Sequence, residues 1–267
     1  WVPLLALVSL GTMLTLALAG ELEPTGPPAP TMKTLEDVEP RTAIRNAFDT
    51  LTPIVISQSG SYYLAEDIYA FHNKHGIEIT ASNVTLDMNG FTLYGNTEVG
   101  SWDGIHGTTM ANITIKNGTV QDFFQDGIDL QGPNIQVIKV RVLNNGLRGM
   151  LTGNNSVIRD CIAVDNTGHG IDAGSASTII GCVSKDSVNG DGINSSNATI
   201  ENCTARSNGG DGIWSNTGSV IRGCTAAFNT GDGIDAQSSL VQGNAANGNT
   251  GTAIVNHASS TIVDNDI

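Results

Sequence analysis

Three observations predict an all-β fold: Gly-hydrophobic pairs at near-constant spacing, short Val/Ile segments parted by Gly/Asn turns, and cysteines recurring in step with the glycines. The pairs are Gly76-Ile77, Gly104-Ile105, Gly127-Ile128, Gly149-Met150, Gly170-Ile171, Gly192-Ile193, Gly212-Ile213 and Gly233-Ile234, with Ala253-Ile254 as an altered ninth. From Gly104 onward the glycines are 20 to 23 residues apart. A period of that size, carried by short strands, corresponds to one coil of a parallel β-solenoid per repeat. The expected architecture is a single-stranded parallel β-helix of about nine coils, roughly 21 residues per coil. At about 4.8 Å per coil its length is on the order of 43 Å.

The elements follow in order. Trp1 to Ala19 is apolar and uncharged and ends in Ala17-Leu18-Ala19, the pattern of a signal peptidase site before Gly20. Residues 1–19 therefore read as a signal peptide whose Met and basic n-region are missing. A retained membrane anchor is the competing reading, since the stretch is just long enough to span a bilayer. Both readings place the folded part outside the cytoplasm, secreted or at the cell surface. Residues 20–50 carry Pro24, Pro27, Pro28, Pro30 and Pro40 among Glu21, Glu23, Glu36, Asp37 and Glu39, the composition of an acidic linker or a loosely docked arm. Residues 51–267 are expected to form the β-helix domain.

Within that domain Ile54 to Leu93 holds alternating strands and is expected to cover the open face of the first coil. The later coils share a consensus close to D-G-I-x-x-x-x-S-x-x-I-x-x-C-x-A-x-x-N-x-G. It predicts three strands per coil: one after the Gly, one around the second Ile, one around the Cys. The chain stops at Asp266-Ile267 inside a recognisable strand, which predicts either a truncated coil or a docking partner there, end-to-end self-association included.

Two columns run through the stack. Cys161, Cys182, Cys203 and Cys224 fall 11 or 12 residues after their coil's Gly, and Asn244 takes the next slot. A ladder of buried thiols fits this column; one or two disulfides remain the alternative. No Cys-x-x-Cys accompanies them, which argues against a structural metal site. Asn166, Ser187, Asn208, Asn229 and Asn249, preceded by Asn144 or Asn145, form an amide column at a turn. Stacked amides there satisfy backbone groups that no sheet partner reaches. The sequons at Asn83, Asn112, Asn117, Asn154, Asn197 and Asn202 read as turn asparagines.

Twelve basic against 26 acidic residues give a net charge of -14, which excludes nucleic acid as an expected partner. No phosphate loop, nucleotide fingerprint or nucleophilic triad is present, and no cofactor is required. A charged fraction of 14% reflects a surface of Ser, Thr, Asn and Gly, able to hydrogen-bond sugars or another envelope component.

The run Gly60-Ser61-Tyr62-Tyr63-Leu64, then Gly76-Ile77-Glu78-Ile79, Asn83-Val84-Thr85-Leu86-Asp87 and Asn89-Gly90, followed by the Gly-Ile coils, resembles the exported bacterial right-handed parallel β-helix repeat proteins of the pectate lyase-like superfamily. The resemblance covers about Ile54 to Ile267. It implies a right-handed helix, and a functional range from polysaccharide lyases, glycoside hydrolases and uronate epimerases to adhesins. It does not choose among them.

The residues before the repeat Gly are Asp103, Asp126, Arg148, His169, Asp191, Asp211 and Asp232, and three places after the Asp and His members come His106, Asp129, Asp172, Asn194, Trp214 and Asp235. Both sets should line one face. The consecutive carboxylates of Asp191, Asp211 and Asp232 read either as Asx turns, each accepting amides of its own Gly turn, or as a Ca²⁺ stripe of hard oxygen ligands. Gly209-Gly210-Asp211-Gly212-Ile213 is similar to the nonapeptide Ca²⁺ repeat, but a period more than twice nine excludes that motif. Gly168-His169-Gly170, with Asp126-Gly127-Ile128-Asp129 before it, is similar to part of the polygalacturonase pattern. The coil between reads Asn144-Asn145-Gly146-Leu147-Arg148-Gly149, so that family's paired aspartates are missing. Lyase chemistry needs a base beside a neutralised uronate carboxylate, and Arg148, His169 and Asp172 are the candidate catalytic group. Asp126, Asp129 and Trp214 are the candidate substrate-binding residues. The expected role is carbohydrate binding or scaffolding, with a Ca²⁺-assisted polysaccharide lyase as the alternative.

Overall fold

The computed structural model describes residues 39–46, 53–70, 74–96, 100 and 102–267. The expected signal peptide lies outside the described residues, and so does the expected linker apart from residues 39–46. Arg41–Ile267 is one compact body of short strands paired in parallel, most of them three residues long. Three residues per strand suffice because each strand sits between two equivalents, so its ladder bonds are made from coil to coil.

Ten strands, from Ile54–Ile56 to Ile254–Val255, stack into one sheet. The remaining walls belong to a second sheet of eighteen strands, which takes two from each regular coil, such as Thr178–Ile180 and Val183–Lys185. The register carries Ile171 onto Ile193 and Ile179 onto Ile200, so like lies over like. Ten rungs replace the expected nine, because Ile54 opens a coil without a preceding glycine. The Ile54–Leu93 segment is itself the first two coils rather than a cover over them. The strand that does add to this end is Thr42–Ile44, inside the expected linker; it pairs with Tyr62–Leu64 and buries Ile44 while Thr42 and Ala43 face out.

The core is a set of single-residue columns. Ile128, Met150, Ile171, Ile193, Ile213 and Ile234 form one, fully buried. Val142, Ala163, Ser184, Ala205, Ala226 and Ala246 form another, small because the bend leaves little room. The repeat glycine is glycine for close approach: a Cβ on Gly212 would stand 2.6 Å from both the Gly233 carbonyl oxygen and Asn229 Nδ2.

That amide belongs to the predicted ladder. Asn229 Nδ2 donates to Asn249 Oδ1 at 2.9 Å and to the Ala205 carbonyl at 3.2 Å, while Asn229 Oδ1 accepts the Asn208 N–H at 3.0 Å. Ser187 interrupts the column, and its hydroxyl is buried without a partner. The four cysteines are free and buried, which settles the thiol ladder over the disulfides. Each Sγ donates to a carbonyl of the preceding coil, Cys161 to Val137 and Cys224 to Ile200, where Asn244 and Asn265 donate through their amides further on. Cysteine thus occupies an asparagine slot as a smaller, weaker donor. Contacts with the neighbouring thiols first, and burial second, push Cys182 and Cys224 up. Of the sequon residues, Asn83, Asn112, Asn117, Asn197 and Asn202 have φ between 52° and 59°, the left-handed turn conformation that asparagine tolerates.

Candidate functional site

The ten-strand sheet carries two outward columns. One is the residue two places before each strand, ahead of the repeat glycine: His75, Asp103, Asp126, Arg148, His169, Asp191, Asp211 and Asp232. The other is the middle residue of each strand, in the register Glu78, His106, Asp129, Leu151, Asp172, Asn194, Trp214, Asp235. Both predicted sets therefore line one face.

The first column is a hydrogen-bond ladder, but its bonds run between coils and not within one Asx turn. Asp103 Oδ1 accepts the Asp126 N–H at 3.0 Å, Asp126 Oδ1 the Arg148 N–H at 2.7 Å, and Asp191 Oδ1 the Asp211 N–H at 2.8 Å. His75 and His169 do the same through Nδ1, accepting the N–H of Asp103 and Asp191 at 3.1 and 2.9 Å. The glycine ahead of the later aspartates follows from this: a Cβ on Gly231 would come 2.2 Å from Asp211 Oδ1.

At the centre, Arg148 bridges two coils, with Nε 3.0 Å from Asp172 Oδ2 and Nη1 3.4 Å from Asp126 Oδ2. Burial pushes Asp126 up to about 6 against the opposing pull of Arg148. Burial likewise raises Asp172, while His169 and Arg148 offset it. The structure thus joins Arg148, His169, Asp172 and Asp126 as one neighbourhood. It also fixes the tautomer of His169: a ring nitrogen that accepts a backbone N–H holds a lone pair, so neutral His169 carries its proton on Nε2. Toward a ligand His169 is a donor, and abstraction of a proton through Nδ1 would first break the ladder.

Asp129 is buried two rungs before Asp172, in the coil of Asp126, its carboxylate held by Gln131 Nε2 at 3.0 Å. Trp214 stands two rungs past Asp172 in the same column and is separate from the Arg148 cluster. The predicted metal triad is divided. Asp211 and Asp232 group with Asp235, whereas Asp191 faces His169, 3.4 Å from Nδ1. Burial raises the Asp211 carboxyl, with Asp191, Asp232 and Asp235 adding to it.

Sequence reasoning passed over a second cluster. His106 Nδ1 lies 2.9 Å from Asp103 Oδ2 and 3.4 Å from Asp129 Oδ2, and His75 stacks on His106 with ring centroids 3.9 Å apart. Hydrogen bonds to Asp103 and Asp129 raise His106 to about 9. Burial alone would raise Asp103, but the bond from His106, the neighbouring His75 ring and the bond from the Asp126 N–H outweigh it and bring it to about 2. The signal was available: His75 directly precedes Gly76, the slot of His169, and so belongs at the head of the ladder column.

Against known proteins, the right-handed β-helix region family matches residues 50–184 and 184–267. The chain belongs to the right-handed β-helix family. No curated protein matches this β-helix protein in sequence. Among solved structures it is similar to the A-module of the mannuronan C-5 epimerase AlgE4 of Azotobacter vinelandii, with TM-score 0.60 and 17% identity over 77% of this chain and 76% of that one. ORF18 of Geobacillus virus E2 gives TM-score 0.63 and 13% identity over 84% of this chain and 51% of that one. The Dettilon tailspike protein gp208 gives 0.52 and 14%, over 84% and 61%. At these identities the likeness is one of fold.

Proposed function

We propose that this β-helix protein is exported and binds an extended polysaccharide along its ten-strand face. The observation that carries the reading is the outward column in which His106, Asp129, Asp172, Asn194, Trp214 and Asp235 stand in register, interrupted at Leu151. Carboxylates, an amide and an indole at regular intervals on a rigid surface are suited to sugar hydroxyls and pyranose faces. Export rests on the apolar stretch ending at Ala17-Leu18-Ala19. That a protein of the same fold is an epimerase of mannuronan supports a uronate polymer among the ligands to try, with Ca²⁺ offsetting the acidic face.

A second reading has its own observation. Arg148 is held between two carboxylates that burial raises, an arrangement that can neutralise a uronate carboxylate and exchange a proton near neutral pH. Purified protein tested against mannuronan, pectate and neutral glycans, with and without Ca²⁺, separates the two. Binding that weakens in Trp214→Ala, with no turnover, is the outcome expected of the first. New double bonds or epimerised residues, lost in Arg148→Ala and Asp172→Asn, would replace it with the second. No binding to any glycan would remove both.

A further inference from the structure

We propose that a groove in the eighteen-strand sheet, at the bend where regular coils part its two strands, binds one oxyanion group: a carboxylate, sulfate or phosphate borne on a small molecule. The groove measures 380 Å³, the size that holds a single small ligand, and Gly118, Thr119, Lys139, Arg141, Asp160 and Ile162 line it. Lys139 and Arg141 bring two cations to it. Neither enters an ion pair among the described residues, whereas Lys116 stands 3.4 Å from Asp87 and Lys185 2.7 Å from Asp186. Asp160, the one carboxylate in the lining, pairs with neither cation. Thr119 lies in register with Arg141 one coil earlier and adds a hydroxyl donor.

The chain carries a net charge of -14, so its field as a whole repels an anion. This bend is the local exception. Lys116, Lys139, Arg141 and Arg159, four of the twelve basic residues, fall on the strands Ile113–Gln121, Gln136–Leu143 and Val157–Arg159 of three successive coils. Backbone conformation points the same way. Lys139 has φ 55° and is the one basic residue in the left-handed region among the described residues. Its equivalents at the same bend are Asn117, Asp160, Gly181 and Asn202, residue types that adopt this conformation readily. The Lys139 side chain is exposed, so core packing does not explain a lysine there, and a charge required at the groove does. The planar fork of Arg141 suits paired hydrogen bonds to an oxyanion, with Lys139 as a second, point-like charge. The groove belongs to the eighteen-strand sheet and does not rest on the polysaccharide reading of the ten-strand face.

Titration of isotope-labelled protein with sulfate, phosphate, galacturonate and neutral galactose, at an ionic strength held constant with chloride, tests the site through its amide chemical shifts. Saturable shifts are expected at Gly118, Thr119, Lys139 and Arg141; any at Asp172 and Trp214 report the ten-strand face separately. Response to galacturonate names a carboxylate ligand and response to sulfate or phosphate a tetrahedral one, and either supports the site. Arg141→Gln should weaken binding about tenfold, the loss of one charge-assisted pair. Lys139→Asn should weaken it while raising Tm, because asparagine suits the left-handed bend. Asp160→Asn, which removes the opposing charge, should tighten it. Absence of saturable shifts with all three anions, an equal response to galactose, unchanged affinity in Arg141→Gln and Lys139→Asn, or shifts of the same size around Arg206 and Arg222 would each overturn the proposal.

Discussion

The early and late coils carry the same carboxylate ladder and use it differently. Asp103 and Asp126 are 3% and 4% exposed, and each has a cationic partner, His106 or Arg148. Asp211 and Asp232 are half-buried, with a third carboxylate, Asp235, as their near neighbour. The backbone bond is the same in both places, for the Asp126 N–H reaches Asp103 at 3.0 Å and the Asp232 N–H reaches Asp211 at 2.6 Å. What differs is the wall around it. The late turns are Gly209-Gly210 and Gly231, thin enough to let water reach the carboxylates, while the early ones bring Trp102 ahead of Asp103 and Phe124-Gln125 ahead of Asp126. Water screens like charges in the late coils; the early coils have to pair theirs.

The largest effect should come from removing a paired carboxylate. Asp103→Ala takes the nearer carboxylate from His106 and the acceptor from the Asp126 N–H in a largely buried site, and should cost about 3 kcal/mol in urea unfolding. Asp232→Ala removes one backbone bond beside solvent and should cost about 1 kcal/mol. Equal costs would break the distinction between the two regions.

The pH dependence sharpens it next. His106 is raised to about 9 in the folded chain, so its contribution is complete below pH 6.5 and is lost as pH rises through 9. Asp103, lowered to about 2, contributes above pH 3.8 and loses its contribution as pH falls through 2. Asp126 is raised to about 6, so it favours the fold below pH 3.8 and ceases to as pH rises through 6. The urea midpoint should therefore decline between pH 6.5 and 9, and His106→Gln should flatten that decline. An unchanged slope in the variant would mean that the early cluster is not charged as its geometry implies.

The same contrast explains what could be read from the letters. Period and columns are one-dimensional facts, so the Gly-Ile steps, the cysteines and the turn asparagines were legible as coils, thiols and an amide ladder. Handedness of contact between coils was not: that Asp191 bonds the Asp211 N–H and not its own turn depends on which way the carboxylate leans across a 4.8 Å-type step. The first coil was missed because Ile54 lacks the glycine signal, and the strand at Thr42–Ile44 because three residues in a Pro-rich context carry no period. Arg148, His169 and Asp172 were found because they stand in adjacent regular coils. His75 and Asp103 were separated by a step of 28 residues between Gly76 and Gly104, longer than any later one, and that insertion hid their shared column.

The smallest effect concerns the place where the two regions meet. The amide column runs from Asn145 to Asn166, breaks at Ser187, and resumes from Asn208 to Asn249. Asn166 gives its Nδ2 hydrogen to Val142 and Asn208 gives its own to Ser184, each reaching back across one coil to a backbone oxygen. An asparagine at 187 would by the same geometry reach Ala163, and its Oδ1 would accept from Asn166 as Asn229 accepts from Asn208. The space beside Gly170, which the Asn208 amide takes beside Gly192, is where the Ser184 hydroxyl lies, itself buried without a partner, so the new amide would meet that hydroxyl as a hydrogen-bond partner. Ser187→Asn also removes a buried hydroxyl that has no partner. It should stabilise the protein by about 1 kcal/mol, a rise in Tm of roughly 2–4 °C. A lower Tm would mean that the serine relieves a mismatch between early and late coils and that the column is interrupted for a packing reason.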